Sequence, residues 1–295
     1  MRRSSLLFLL GVLALPNMAQ AQDWGWKEGR ADLARIARGD TERAIIRLLK
    51  RLEKETSLFE IHFLLAVAYA TQGELDRALS AAERAVELGL PPERLFAGPR
   101  SLLAPLRPAI ERRFGKTSQL IHGPLLGSIT DSGARVWVRT RDETLVSVQA
   151  RRLDAKSPAT STGRTVAAQR TSAARDFTAR LELTDLASDA TYVYTVDIAG
   201  ETVAGPFRFR TFPKRGSKSS FSVAFGGGAA FTPIHERVFS TIREHQPITF
   251  LQLGDNVYID EPKLPAVQEY CYYRRLSSLP YRELSAETNI AAIWD

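Results

Sequence analysis

The chain has 295 residues, 44% of them hydrophobic and 25% charged, a balance that belongs to globular rather than disordered protein. At about 150 residues per domain that length suggests two domains, and discontinuities in pattern along the chain suggest three smaller ones. The single cysteine, Cys271, excludes an intrachain disulfide framework, and the four histidines (His62, His122, His235, His245) form no H-x-H or H-E-x-x-H pair that would make a self-contained zinc motif. The formal charge of +7 favours anionic partners in general, but arginine and lysine are spread over every segment. Solvated faces are therefore expected, and no nucleic-acid binding.

Residues 1–21 read as a secretory signal peptide: Arg2 and Arg3, an apolar run over 6–15, then Pro16 and the small-x-small site Ala19-Gln20-Ala21. The apolar run is about ten residues, short of the ~20 that span a bilayer, so no transmembrane anchor is expected. The mature protein is expected to be periplasmic or secreted. The arginine pair matches the twin-arginine export pattern only loosely, which leaves the route open. Cys271 is expected to be a buried small hydrophobe in that compartment.

Residues 22–118 are expected to be helical, because apolar positions recur at helical spacing: Ile45, Leu48, Leu49 and Leu52 on one face, and Leu75, Ala78, Leu79, Ala82 and Val86 on another. Residues 59–92 resemble a tetratricopeptide repeat, with Ala66, Tyr69, Gly73, Ala78, Ala82 and Ala85 where that motif places its small residues, its aromatic and its turn glycine. Gly39-Asp40 with Ala44 and Leu48 is similar to the second half of a degenerate preceding copy. Fewer than the three or so repeats that make a stable solenoid are present, so this segment is expected to dock on something else. An ordinary helical hairpin and a groove for a protein partner both remain open.

Over residues 119–212 the period changes to two, clearest in 180–183, 192–196 and 207–210, with turn-rich stretches between. That pattern predicts a β-sandwich. The run 186–192 (LASDATY) resembles the tyrosine corner of fibronectin type III-like sandwiches, in which a tyrosine hydroxyl bonds back to the chain six residues after a leucine. Trp137 and Tyr192 are assigned to packing. A polar linker is expected at 213–220.

From 221 to 295 the order is strand, glycine loop, helix, strand. Strands are expected at 221–225, 248–253 and 290–294, and a helix at 233–245. In an open α/β sheet, ligands bind beyond the carboxyl ends of the strands. Those ends here offer Gly226-Gly227-Gly228, then Asp255, then Asp295. Gly254 would let the backbone bend so that the Asp255 carboxylate faces the rim, where a cation offsets its desolvation. Gly-Asp-Asn is also ordinary turn chemistry, and the glycines suit either a tight turn or donation of N–H groups to a phosphate. His235 could reach the strand ends or simply cap. Arg274 and Arg275 could clamp a phosphate, or pair with carboxylates such as Glu269 and Glu283.

The run 250–260 (FLQLGDNVYID), the tyrosine-rich 270–275 (YCYYRR) and the terminal 292–295 (AIWD) resemble the opening half of PhoD-like alkaline phosphatases, of the calcineurin-like metallophosphatase superfamily. The sandwich looks like the domain preceding the catalytic domain in that family. The resemblance covers 123–295 and implies a multidomain α+β protein: signal peptide, short tetratricopeptide-like helical segment, fibronectin type III-like sandwich, then the first half of an α/β metallophosphatase domain over 221–295. It implies hydrolysis of phosphoric esters at a dinuclear centre of iron, calcium, manganese or zinc. Asp255 matches the aspartate that bridges the ions, and Tyr258 a tyrosine that holds one of them. The family's cysteine ligand in the first loop is replaced here by glycine, which removes a soft donor and turns the expectation away from ferric iron. Asp295 aligns beside an expected ligand, and the family's later histidines would lie beyond it. The 295-residue chain is accordingly expected to be truncated and inactive by itself. The rival reading is a non-catalytic extracytoplasmic binding module in which Asp255 is dispensable. A nucleotide-binding α/β domain is disfavoured by the lack of G-x-G-x-x-G or a Walker lysine.

Overall fold

The computed structural model describes residues 28–55, 58–115, 119–153, 164–231 and 235–293. The proposed signal peptide and Asp295 lie outside them. Among the described residues no helix is long and apolar enough to cross a membrane.

Seven helices come first: α1 (Glu28–Ala37), α2 (Thr41–Leu52), α3 (Phe59–Gln72), α4 (Leu75–Glu87), α5 (Glu93–Ala97), α6 (Arg100–Leu103) and α7 (Arg107–Phe114). α3 is buried nearly all round, because its sequence is apolar on every face. It ends at Gly73, whose φ of 79° is left-handed, with Gly73 N–H bonded to Ala70 O and Glu74 N–H to Tyr69 O. That closes the carbonyls of the last turn and sends α4 back along α3. Ala66, Ala78, Ala82 and Ala85 are fully buried, and their small size lets the two axes approach. The expected apolar faces are only partly inward: Leu49 and Leu75 are exposed.

The sandwich follows. One sheet has the order β1 (Leu120–Gly127), β2 (Ala134–Thr140), β5 (Thr178–Leu183). The other has the order β4 (Arg164–Arg170), β3 (Leu145–Arg152), β6 (Thr191–Ile198), β7 (Glu201–Arg210). All pairings are antiparallel. Alternate residues (Val136, Val138, Val146, Val148, Leu181, Leu183, Val196) close the core between the sheets. The tyrosine corner forms: Ala187 N–H donates to Tyr192 Oη at 2.7 Å, with Leu186 buried beside it. Trp137 lies half-buried on the outward side of β2, lining a cleft with Leu125, Tyr272 and Ile293, because the register gives Val136 and Val138 the inward positions.

The last unit is a parallel sheet in the order β10 (Asn289–Ala292), β9 (Thr249–Gln252), β8 (Val223–Gly226). α8 (Arg237–Glu244) joins β8 to β9. The polar, aromatic-rich stretch between β9 and β10 folds as two helices, α9 (Pro265–Ser277) and α10 (Leu279–Glu287). α8 and α10 cover one face of the sheet through Phe239, Tyr281, Leu284 and Phe250. The other face exposes Val223 and Phe225.

The units share cores. Val267, Tyr270 and Cys271 of α9 belong to the same buried cluster as the helices before the sandwich, which is the docking that a short helical array requires. Within that cluster Glu60 and Arg94, both almost fully buried, form a bidentate pair at 2.6 and 3.0 Å. The sandwich meets the parallel sheet through Tyr194 Oη donating to Ala286 O at 2.6 Å and Ile129 N–H donating to Asn289 Oδ1 at 3.2 Å.

Candidate functional site

Two adjacent turns at the carboxyl rim of the parallel sheet support each other. β9 runs into Gly254, with φ of 102°, and Asp255, with φ of 49°. Glycine takes that geometry freely and aspartate tolerates it better than most residues. From the loop after β8, Ala229 N–H donates to Asp255 O at 3.0 Å, and from the end of β9 Leu253 N–H donates to Gly226 O at 2.8 Å. A Cβ on Gly227 would stand 3.3 Å from Gly254 O, so the Asp255 turn leans on that glycine; Gly228 instead takes a left-handed φ of 67° in open space.

The Asp255 side chain is exposed at the rim, and Tyr258 Oη donates to Asp255 Oδ2 at 2.7 Å. The two residues singled out from the sequence are therefore brought together. Two oxygens at that separation form an edge that one cation can span at metal–oxygen distances of about 2.0–2.6 Å. Asn256 ties the same turn to the end of β10, with Nδ2 donating to Ile293 O at 3.3 Å.

A dinuclear centre needs more donors than this. Among the described residues no three His, Cys, Asp or Glu side chains converge on a common point. Asp255 and Tyr258 do not make up that donor set on their own.

Arg274 and Arg275, candidates for a phosphate clamp or for pairing with nearby carboxylates, are buried. Each is only 4% exposed. With Phe231, Cys271 and Tyr258 they line a small pocket behind the rim. Arg275 Nη2 donates to Ala229 O at 2.6 Å and stands 3.4 Å from Glu236 Oε1. Burial pulls the Arg275 guanidinium down and pushes the Glu236 carboxyl up, and each offsets the other's desolvation. Arg274 Nη1 donates to Tyr270 Oη at 3.1 Å and lies over the Phe231 ring. The carboxylates suggested from sequence have other partners: Glu269 accepts from Arg100 N–H and Glu283 from Arg243. The periodicity carried a signal for the burial, since Arg274 follows Val267, Tyr270 and Cys271 at helical spacing on the inward face of α9.

Cys271 is buried as expected, and burial pushes its thiol up to about 11, well away from a reactive thiolate. His235 is exposed just before α8.

The loop after Asp255 carries contacts that sequence reasoning did not find. Val257, Ile259 and Leu264 pack against the helical core. Asp260 accepts from Arg30, and Glu261 accepts from Arg38 at 2.6 Å. The partners are separated by 230 and 223 residues, a distance over which no local pattern speaks.

Among solved structures, that of PhoD is similar at 12% identity over 58% of this chain and 38% of the PhoD chain, with a TM-score of 0.49. The chain thus spans less than two fifths of PhoD. The sensor domain of the anti-sigma factor RsgI4 of Pseudobacteroides cellulosolvens is 17% identical over 33% of this chain and 99% of its own, with a TM-score of 0.25. The third fibronectin III domain of human KIAA0343 protein is 12% identical over 34% of this chain and 86% of its own, also at 0.25. No curated protein sequence matches the chain. A family model described as a domain of unknown function (DUF7800) matches residues 117–216, the sandwich.

Proposed function

We propose that this protein is an exported, metal-dependent phosphoric ester hydrolase of the PhoD-like kind, an alkaline phosphatase or phosphodiesterase, with Asp255 and Tyr258 as two of the oxygen donors to its metal centre. The reading is supported by the motif resemblance over 250–260 and by one observation above the rest: the Tyr258 hydroxyl lies 2.7 Å from the Asp255 carboxylate at the carboxyl rim of a parallel sheet. That rim is where such sheets bind ligands. Export rests on residues 1–21, which carry the signal-peptide pattern.

Calorimetric titration of the chain with Mn2+, Ca2+ and Zn2+, followed by inorganic phosphate, tests the reading. With few protein oxygens supplying the site, cation affinity is expected at about 10⁻⁴–10⁻³ M. It should be lost in Asp255→Asn and weakened in Tyr258→Phe, and phosphate should bind only after the cation. Cation binding unchanged by Asp255→Asn, or phosphate binding without any cation, would overturn it.

A further inference from the structure

The loop that follows Asp255 is held by the first helix of the chain. Arg30, whose side chain is 3% exposed, pairs with Asp260, and Arg38 pairs with Glu261. Between those ion pairs and Asp255, Val257 and Ile259 turn into the helical core, so Tyr258 is flanked on both sides by anchored residues. α1 itself is seated tightly: a Cβ on Gly29 would stand 2.3 Å from Tyr270 Oη, leaving α1 no room to slide on α9. Asp255 and Tyr258 thus sit on a segment fixed at one end by the glycine loop and at the other by α1.

We propose that α1 sets the conformation of the Asp255–Tyr258 loop, with Arg30 and Arg38 as positioning residues acting through Asp260 and Glu261. The inference depends on the hydrolase reading only for the chemistry assigned to the loop, not for its docking. Arg30 is buried, whereas Arg38 is more than half exposed, so solvent screens the Arg38–Glu261 pair more. The Arg30–Asp260 contact is therefore the stronger of the two.

Hydrogen exchange by mass spectrometry on the whole chain, without metal, tests this. Asp260→Asn, which removes the charge and still suits the left-handed φ of 57° at that position, is expected to raise exchange over 254–264 about tenfold, with β6 (191–198) unchanged as internal reference. Arg38→Gln should raise exchange about two- to fourfold. Unchanged exchange over 254–264 in Asp260→Asn, or a rise of equal size in β6, would overturn the proposal. Because exchange is read without cations, failure of the hydrolase reading would leave this result as it stands.

Discussion

His122 makes the joint between the sandwich and α9 sensitive to acid. It is fully buried in β1, its ring 5.1 Å from that of Tyr273, with Nε2 3.3 Å from Ser277 Oγ and no hydrogen-bond partner at Nδ1 among the described residues. Burial, and then the charges of Arg139, Arg282, Arg94 and Arg100, hold its pKa well below the ordinary 6.5. The folded protein therefore keeps the imidazole neutral, while the unfolded chain takes up a proton as pH falls through about 6.5. The unfolded state binds more protons in that window, so stability is full above it and declines below it, by up to ~1.4 kcal/mol per pH unit. Between pH 8 and pH 5 the loss is at most about 2 kcal/mol. Urea unfolding of the wild type and of His122→Gln, which keeps a neutral polar side chain of similar reach, measures it. Wild type should lose that increment over the window and His122→Gln should not. Equal pH dependence in the two chains would refute the argument.

Three further outcomes follow from particular contacts. Glu60→Leu leaves the Arg94 guanidinium buried without its bidentate partner and should cost about 3–5 kcal/mol by urea denaturation, whereas Glu60→Leu with Arg94→Met should recover much of it. Tyr192→Phe removes the acceptor of Ala187 N–H and should cost about 1–3 kcal/mol, read as a lower midpoint with unchanged far-ultraviolet circular dichroism. Gly29→Ala drives a methyl against the Tyr270 hydroxyl and should cost about 1–3 kcal/mol, with increased exchange in both α1 and α9; an α9 unaffected by it would contradict the packing described.

What the sequence revealed was local. The tyrosine corner needs only Leu186, Ala187 and Tyr192, all within one turn and one strand end, so seven residues sufficed to read it. The Gly254–Tyr258 turn was legible for the same reason: strand, glycine, acid and tyrosine are contiguous, and the hydroxyl closes on the carboxylate three residues away. The helix over α3 and α4, with its left-handed Gly73, was equally plain. Contacts across the chain were not. Nothing near Asp260 or Glu261 points to Arg30 or Arg38, and whether Leu49 and Leu75 face inward depends on which neighbours arrive. Trp137 was assigned to packing by residue type, but which side it packs on is set by the strand register, which turns it outward, toward α9 and β10. Arginine is normally a surface residue, and that prior hid the burial of Arg274 and Arg275, which the α9 periodicity would have revealed.

Anomalous diffraction from crystals soaked in Mn2+ probes the proposed role of the strand-end oxygens most directly. The account predicts a peak within about 2.0–2.6 Å of both the Asp255 carboxylate and the Tyr258 oxygen, absent in Asp255→Asn. Saturating Mn2+ with no density there, and the Tyr258–Asp255 hydrogen bond intact, would contradict it.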